Sequence, residues 1–154
     1  MHDLMKIQFI SPESTYREVQ ELRSLCDCVL IDQKKLNQKD LQDSFLVDDE
    51  NFDIRKQPLR LIAISLHDLK PHWGVFNDRF KRNTMVISFD DEIQDNPRIV
   101  RFLEERGVAL LMCKRNKKGL LDYEGLMRSL TSLKFTSILV EDNIDLIEEL
   151  TPWV

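Results

Sequence analysis

The residues best suited to chemistry in this chain stand at the carboxyl ends of its apolar runs. Glu141-Asp142-Asn143 closes the run SILVE (Ser137 to Glu141), and Lys114-Arg115 with Lys117-Lys118 follows VALLMC (Val108 to Cys113). In open α/β sheets ligands bind beyond the carboxyl ends of the strands, so the acidic turn stands where a site is expected. The basic cluster reads either as a solvated turn or as a grip on an anionic ligand at that edge. Cys26, Cys28 and Cys113 have neither C-x-x-C spacing nor histidine partners, which argues against a zinc site. Cys28 and Cys113 lie in apolar runs and read as buried, reduced thiols. His2, His67 and His72 are scattered, and neither catalysis nor metal ligation is expected of them. None of the four glycines, Gly74, Gly107, Gly119 and Gly125, joins a strand directly to a helix. The phosphate loops G-x-G-x-x-G and G-x-x-x-x-G-K-[ST] and the nucleophile elbow G-x-S-x-G are absent.

The elements that must position these residues follow from periodicity. Gly107 to Asn143 reads as strand, loop, amphipathic helix, strand and the opening of another helix, a βαβ unit. VALLMC and SILVE show almost no polar alternation, as in strands buried on both faces of a parallel sheet. Leu121, Leu126, Leu130 and Leu133 form a stripe toward that sheet. Asp122 is the expected N-cap, and Glu124 sits in the first turn, where the helix dipole favours a carboxylate. The crossover between the two strands is expected to be right-handed.

Upstream, Lys6 to Ile10 reads as a short strand or an extended lead-in. Ser11 is the expected cap of a helix with Pro12 at its first position. Tyr16, Val19, Leu22 and Leu25 form the apolar face of that helix, which ends near Cys26-Asp27. CVLI (Cys28 to Ile31) follows as a buried strand with Asp32 at its carboxyl end. Asp32 to Arg55 is polar, with a short helix expected around Leu36 to Leu41 and then a long loop. LRLIAISL (Leu59 to Leu66) and TMVISF (Thr84 to Phe89) are further buried strands. Trp73 and Phe76, between them, read as an aromatic pair packed under a loop. Asn96-Pro97 opens a helix with Ile99, Val100, Phe102 and Leu103 inward, closed by Gly107. A last helix is expected over Ile144 to Leu150. The alternation predicts one three-layer α/β domain over 1–154, with a mostly parallel sheet of four or five strands and flanking helices.

Composition sets the outer bounds. A chain of 154 residues, 42% hydrophobic and 32% charged, fits a single soluble globular domain. No apolar run nears the roughly 20 residues that cross a bilayer. The start MHDLMKIQFI lacks the features of a signal peptide, so a cytoplasmic location without membrane association is expected. A net charge of -5 argues against general nucleic-acid binding, which needs a basic face.

The order of segments resembles one family. ISPES followed by ELRSLCDCVLID, then FDIR, QPLRLIAIS, GVALL and GLLDYEGLMRSLTSLKFTSILVE, is similar to the pyrimidine-reductase domain of riboflavin biosynthesis, which has a dihydrofolate-reductase-like fold. The likeness runs from about Phe9 to Leu150. It implies an NADPH-dependent reduction of a phosphorylated ribosylamino-pyrimidine. Carried over by position, it places Arg23, Arg55 and Glu141 at the substrate and Ser65 beside the cofactor; it assigns no catalytic residue and no metal. A guanidinium gripping phosphate bidentately makes chemical sense of the arginines. Taken alone, each residue has an ordinary role too: Arg23 as a helix-surface charge, Arg55 as a loop charge, Glu141 as a helix-terminal carboxylate, Ser65 as a strand-end polar group.

The departures from the family pattern fall on cofactor contacts. Where the family has a Gly-rich turn with a Thr holding NADPH, this chain has Asp32-Gln33-Lys34-Lys35, and its Glu-Gly-Gly turn is Glu141-Asp142-Asn143 here. A carboxylate and a bulky amide there would repel and crowd a pyrophosphate. The family's first strand would lie before Ile7 and its last strands after Val154. The expectation is therefore a degenerate, truncated reductase-like domain without catalysis, a pseudoenzyme serving as a binding, regulatory or partner module. Its ligand would be a phosphorylated pyrimidine or nucleotide, and it would form a homo- or hetero-oligomer, such as a dimer, through open sheet edges. The alternative is an active NADPH-dependent reductase of a phosphoribosylamino-pyrimidine or pteridine.

Overall fold

The computed structural model describes residues 5–11, 13–31, 33–37 and 44–141. Among these, the strands β1 (Lys6–Ile10), β2 (Cys28–Ile31), β3 (Leu59–Ala63), β4 (Thr84–Phe89), β5 (Ala109–Cys113) and β6 (Ser137–Glu141) form one parallel sheet in the order β1-β6-β2-β3-β4-β5. The helices are α1 (Tyr16–Leu25), the single-turn α2 (Gln33–Leu36), α3 (Pro97–Arg106) and α4 (Tyr123–Ser132).

Alternate residues of the central strands feed two separate cores. Val29, Ile31, Ile62, Val86 and Leu139 pack with Val19 and Leu22 of α1 and with Val100, Phe102 and Leu103 of α3. Cys28, Leu30, Leu61, Ile87, Ile138 and Val140 pack with Leu126, Met127 and Leu130 of α4. Both faces are therefore apolar, which is why these strands read as continuous hydrophobic runs. The expected three-layer α/β architecture is the one observed, with six parallel strands in place of the expected four or five. Cys26, Cys28 and Cys113 are buried free thiols, and burial pushes the pKa of each upward.

Several local expectations are corrected. Lys6–Ile10 resolves into a strand, the first of the two readings of that stretch, and pairs in parallel with β6. Helix α1 starts at Thr15, whose hydroxyl accepts from the Glu18 N–H, and not at Ser11, whose carbonyl instead accepts from Ser14. The Thr-x-x-Glu spacing is the stronger start signal. Tyr16 and Leu25 are exposed, while Arg23 takes a fully buried place. Helix α2 begins before Leu36, and residues 38–43 and the expected last helix lie outside the described residues. In α4 Met127 is buried, and Leu133, just past the helix end, is exposed.

The strands of the expected βαβ unit are parallel but not neighbours. The chain steps outward through β2, β3, β4 and β5, then returns past β4, β3 and β2 to insert β6 beside β1. Burial separates the two apolar runs. Ile138, Leu139 and Val140 are completely covered, whereas β5 is an edge strand with Ala109 and Met112 exposed.

Helix termini are fixed by side chains and one glycine. Gly107 ends α3 with a φ of 72°, a left-handed conformation that glycine adopts without penalty. Asp122 caps α4 by accepting from the Gly125 N–H, and a Cβ at Gly125 would stand 2.7 Å from Asp122 Oδ2. Two effects of similar size then oppose each other. Alanine is favoured over glycine in a helix by about 1 kcal/mol, and losing an N-cap costs about 1 kcal/mol. Asp122→Ala should cost about 1 kcal/mol and Gly125→Ala should be close to neutral, whereas Gly125→Ala in the Asp122→Ala background should stabilise by about 1 kcal/mol. Urea denaturation of the four proteins checks this; simple additivity would remove the role given to Gly125.

Candidate functional site

Strand β6 ends in Glu141, which points to the same face as Leu139 and so toward α1. Its carboxylate meets the guanidinium of Arg23: Arg23 Nε donates to Oε2 at 3.0 Å and Nη2 to Oε1 at 2.7 Å. The two residues are 0% and 1% exposed. This fork-to-fork geometry is the strongest form of a charged hydrogen-bonded pair. Arg23 Nη1 also donates to the Leu46 carbonyl at 3.1 Å, and the guanidinium lies over the Phe45 ring. The reading of Arg23 as a helix-surface charge is thus overturned.

A second buried arginine grips the same segment. Arg60 of β3 donates to both oxygens of Asp78 at 2.7 and 2.9 Å and to the carbonyls of Ser44 and Val75. Ser44 and Leu46 are therefore each held by an arginine, with Phe45 between them at a φ of 61°, uncommon for a bulky residue. Gln57 adds two hydrogen bonds to Val47, and Gln20 donates to the Leu46 carbonyl. Arg60 carried a usable signal: a charge inside the run LRLIAISL must be partnered if the strand is buried.

Ser65, just past β3, belongs to another cluster at the carboxyl edge. Its hydroxyl donates to the Glu92 carboxylate, 2.7 and 2.9 Å from the two oxygens. Glu92 lies in the turn after β4, is 5% exposed, and also accepts from the Leu66 N–H and from Arg115 Nη2. Arg115, past β5, pairs in addition with Asp91 and covers the Phe89 ring at 3.7 Å. The hydrogen bond from Arg115 holds the Asp91 carboxyl below its ordinary pKa, and the same bond raises that of Arg115. Of the basic cluster, Arg115 faces carboxylates, while Lys114, Lys117 and Lys118 are exposed on a turn organised by Asn116.

The four residues singled out by resemblance are thus not gathered around one opening. Arg23 and Glu141 meet each other, Ser65 meets Glu92, and Arg55 stands before β3, exposed, paired with Asp53 of its own turn. Two surface hollows, of about 340 and 380 Å³, lie beside Cys113, Lys114 and Arg128 and beside Asp48, Glu50 and Arg79; neither is lined by those four residues. No group of His, Cys, Asp and Glu among the described residues is arranged for a metal ion. No helix among the described residues is long and apolar enough to cross a membrane. Asp142 and Asn143 lie outside the described residues. The Ser65 hydroxyl, expected beside the cofactor, is turned to Glu92, and Arg23 and Glu141, expected at the substrate, are turned to each other.

A buried pair is costly to break and cheap to replace whole. Arg23→Met should cost roughly 3–5 kcal/mol by leaving the Glu141 carboxylate buried without its partner, and adding Glu141→Leu should restore most of that stability. Denaturant titration of the single and double variants measures it; a double variant no more stable than the single would contradict the pairing.

No protein-family model and no curated protein sequence matches the chain. Solved structures do. The RibD protein of Acinetobacter baumannii superposes with a TM-score of 0.63 and 19% identity over 97% of this chain and 43% of its own. A pyrimidine reductase-like protein from Corynebacterium diphtheriae gives 0.68 and 10% over 96% of this chain and 67% of its own. The Saccharomyces cerevisiae riboflavin biosynthesis reductase Rib7 gives 0.57 and 16% over 96% and 64%. The chain spans less than half the length of the Acinetobacter protein. At these identities the likeness shows the fold, and the chain accordingly has the fold of the riboflavin-biosynthesis reductases.

Proposed function

We propose that this chain is a reductase-like domain that performs no hydride transfer by itself and serves as a binding or regulatory module joined to a partner chain. The observation that carries the reading is the mutual saturation of Arg23 and Glu141, completely buried beneath Phe45 and Leu46. A phosphorylated pyrimidine reaching Arg23 would have to part a bidentate ion pair and lift the segment over it. A cofactor at Ser65 would have to displace Glu92 from three donors. Fold alone does not carry activity, since function lives in the site.

Among the described residues no further strand covers β1 or β5, which supports partner binding. Strand β5 runs ALLMC, without the charge or proline that guards an exposed edge, and Met112 is 55% exposed on it. Strand β1 bears Lys6 at the other edge. A homo- or hetero-oligomer formed by strand addition at β5 follows from this reading.

Titration of the purified chain with NADPH, following nicotinamide fluorescence with NADH as control, tests the reading. No saturable binding up to millimolar cofactor is expected. Micromolar binding that is weakened by Arg23→Met or Ser65→Ala would overturn it in favour of an active reductase.

A further inference from the structure

Hydroxyl, backbone amide and guanidinium donors converging on one point make an anion site, and the loops after β3 and β5 supply all three. Ser65 Oγ, the Leu66 N–H and Arg115 Nη2 all donate to the Glu92 carboxylate, at 2.7 to 2.9 Å. The three donors come from two different loops, and the anion from a third, so local chain geometry did not force the meeting. We infer that this is an anion cradle occupied by the chain's own Glu92, which acts as a built-in ligand and keeps external phosphates and carboxylates out.

The placement of Glu92 has its own support. The Asn96 side chain donates to the Glu92 carbonyl at 2.7 Å, holding the turn whose side chain enters the cradle. Arg115 is steered by three partners besides Glu92: Asp91 binds Nε and Nη2, the Gly119 carbonyl accepts from Nη1, and Phe89 lies beneath its plane. The guanidinium is therefore preorganised for an anion whether or not Glu92 is present. Charge decides occupancy. One guanidinium already faces two carboxylates, Asp91 and Glu92, so a further anion meets net negative charge where the three donors converge. Removing Glu92 leaves one cation, one carboxylate and two released donors, Ser65 and Leu66, which a small anion would satisfy.

The inference deepens the reading that no cofactor phosphate sits at Ser65, yet the two fail separately. NADPH binding to the natural chain would sink the earlier reading, while the cradle is tested on variants with inorganic phosphate and with acetate. In matched ionic strength against chloride, the natural chain should show no specific thermal shift with either anion. Glu92→Ala should bind at least one of them saturably and at least about tenfold more tightly than the natural chain, the factor that one charge-assisted hydrogen bond of about 1.5 kcal/mol confers. Glu92→Gln keeps the shape and fills the space, so it folds even where the alanine variant does not. Its amide cannot neutralise Arg115, and it should gain a weaker phosphate-dependent stabilisation. Arg115→Ala added to either variant should abolish the gain. Equal response of the natural chain and the variants, or no response from any folded variant, would overturn the inference.

Discussion

Arg23 and Glu141 are the contact on which the arrangement of this protein turns. A guanidinium and a carboxylate withdrawn completely from water hold their place only if each satisfies the other, and their hydrogen bonds of 2.7 and 3.0 Å do so. The pair ties α1 to the end of β6, the strand that returns across the sheet. Arg23 Nη1 reaches the Leu46 carbonyl and so fixes the segment that Arg60 grips at Ser44. One interaction thus links the late crossover, the early helix and the long connection after β2. The charges make that geometry specific, because an apolar pair of equal volume would tolerate many relative positions.

The same economy recurs at the other end of the edge. Donors that could serve a ligand are turned toward the chain's own carboxylates: Arg115 to Asp91 and Glu92, Ser65 to Glu92. Along this edge the polar groups of separate loops hold one another in place. Fold and chemistry separate at the level of individual hydrogen bonds.

Much of the architecture was legible in the sequence. The strands CVLI, TMVISF and SILVE were readable to the residue because central parallel strands must be apolar on both faces, and α3 because Asn96-Pro97 and Gly107 punctuate it. The aromatic pair Trp73 and Phe76 packs as expected, with ring centres 6.1 Å apart. What escaped was long-range. Nothing local in VALLMC says that it lies at an edge while SILVE lies inside. Nothing near Ser65 announces Glu92, a residue in the acidic run after another strand. Arg23 and Glu141 were singled out as a ligand's contacts, and the structure makes them each other's, because side-chain pairing across the sheet leaves no periodic trace.

The most direct test of this self-satisfied edge is the arginine side-chain Nε–H spectrum of the labelled protein, recorded with and without NADPH. Arg23 and Arg60, both buried and doubly paired, should give slowly exchanging signals at neutral pH that stay in place as cofactor is added. An Arg23 signal that exchanges rapidly with water, or that shifts saturably with NADPH, would contradict the account in which Glu141 and the Leu46 carbonyl hold its guanidinium.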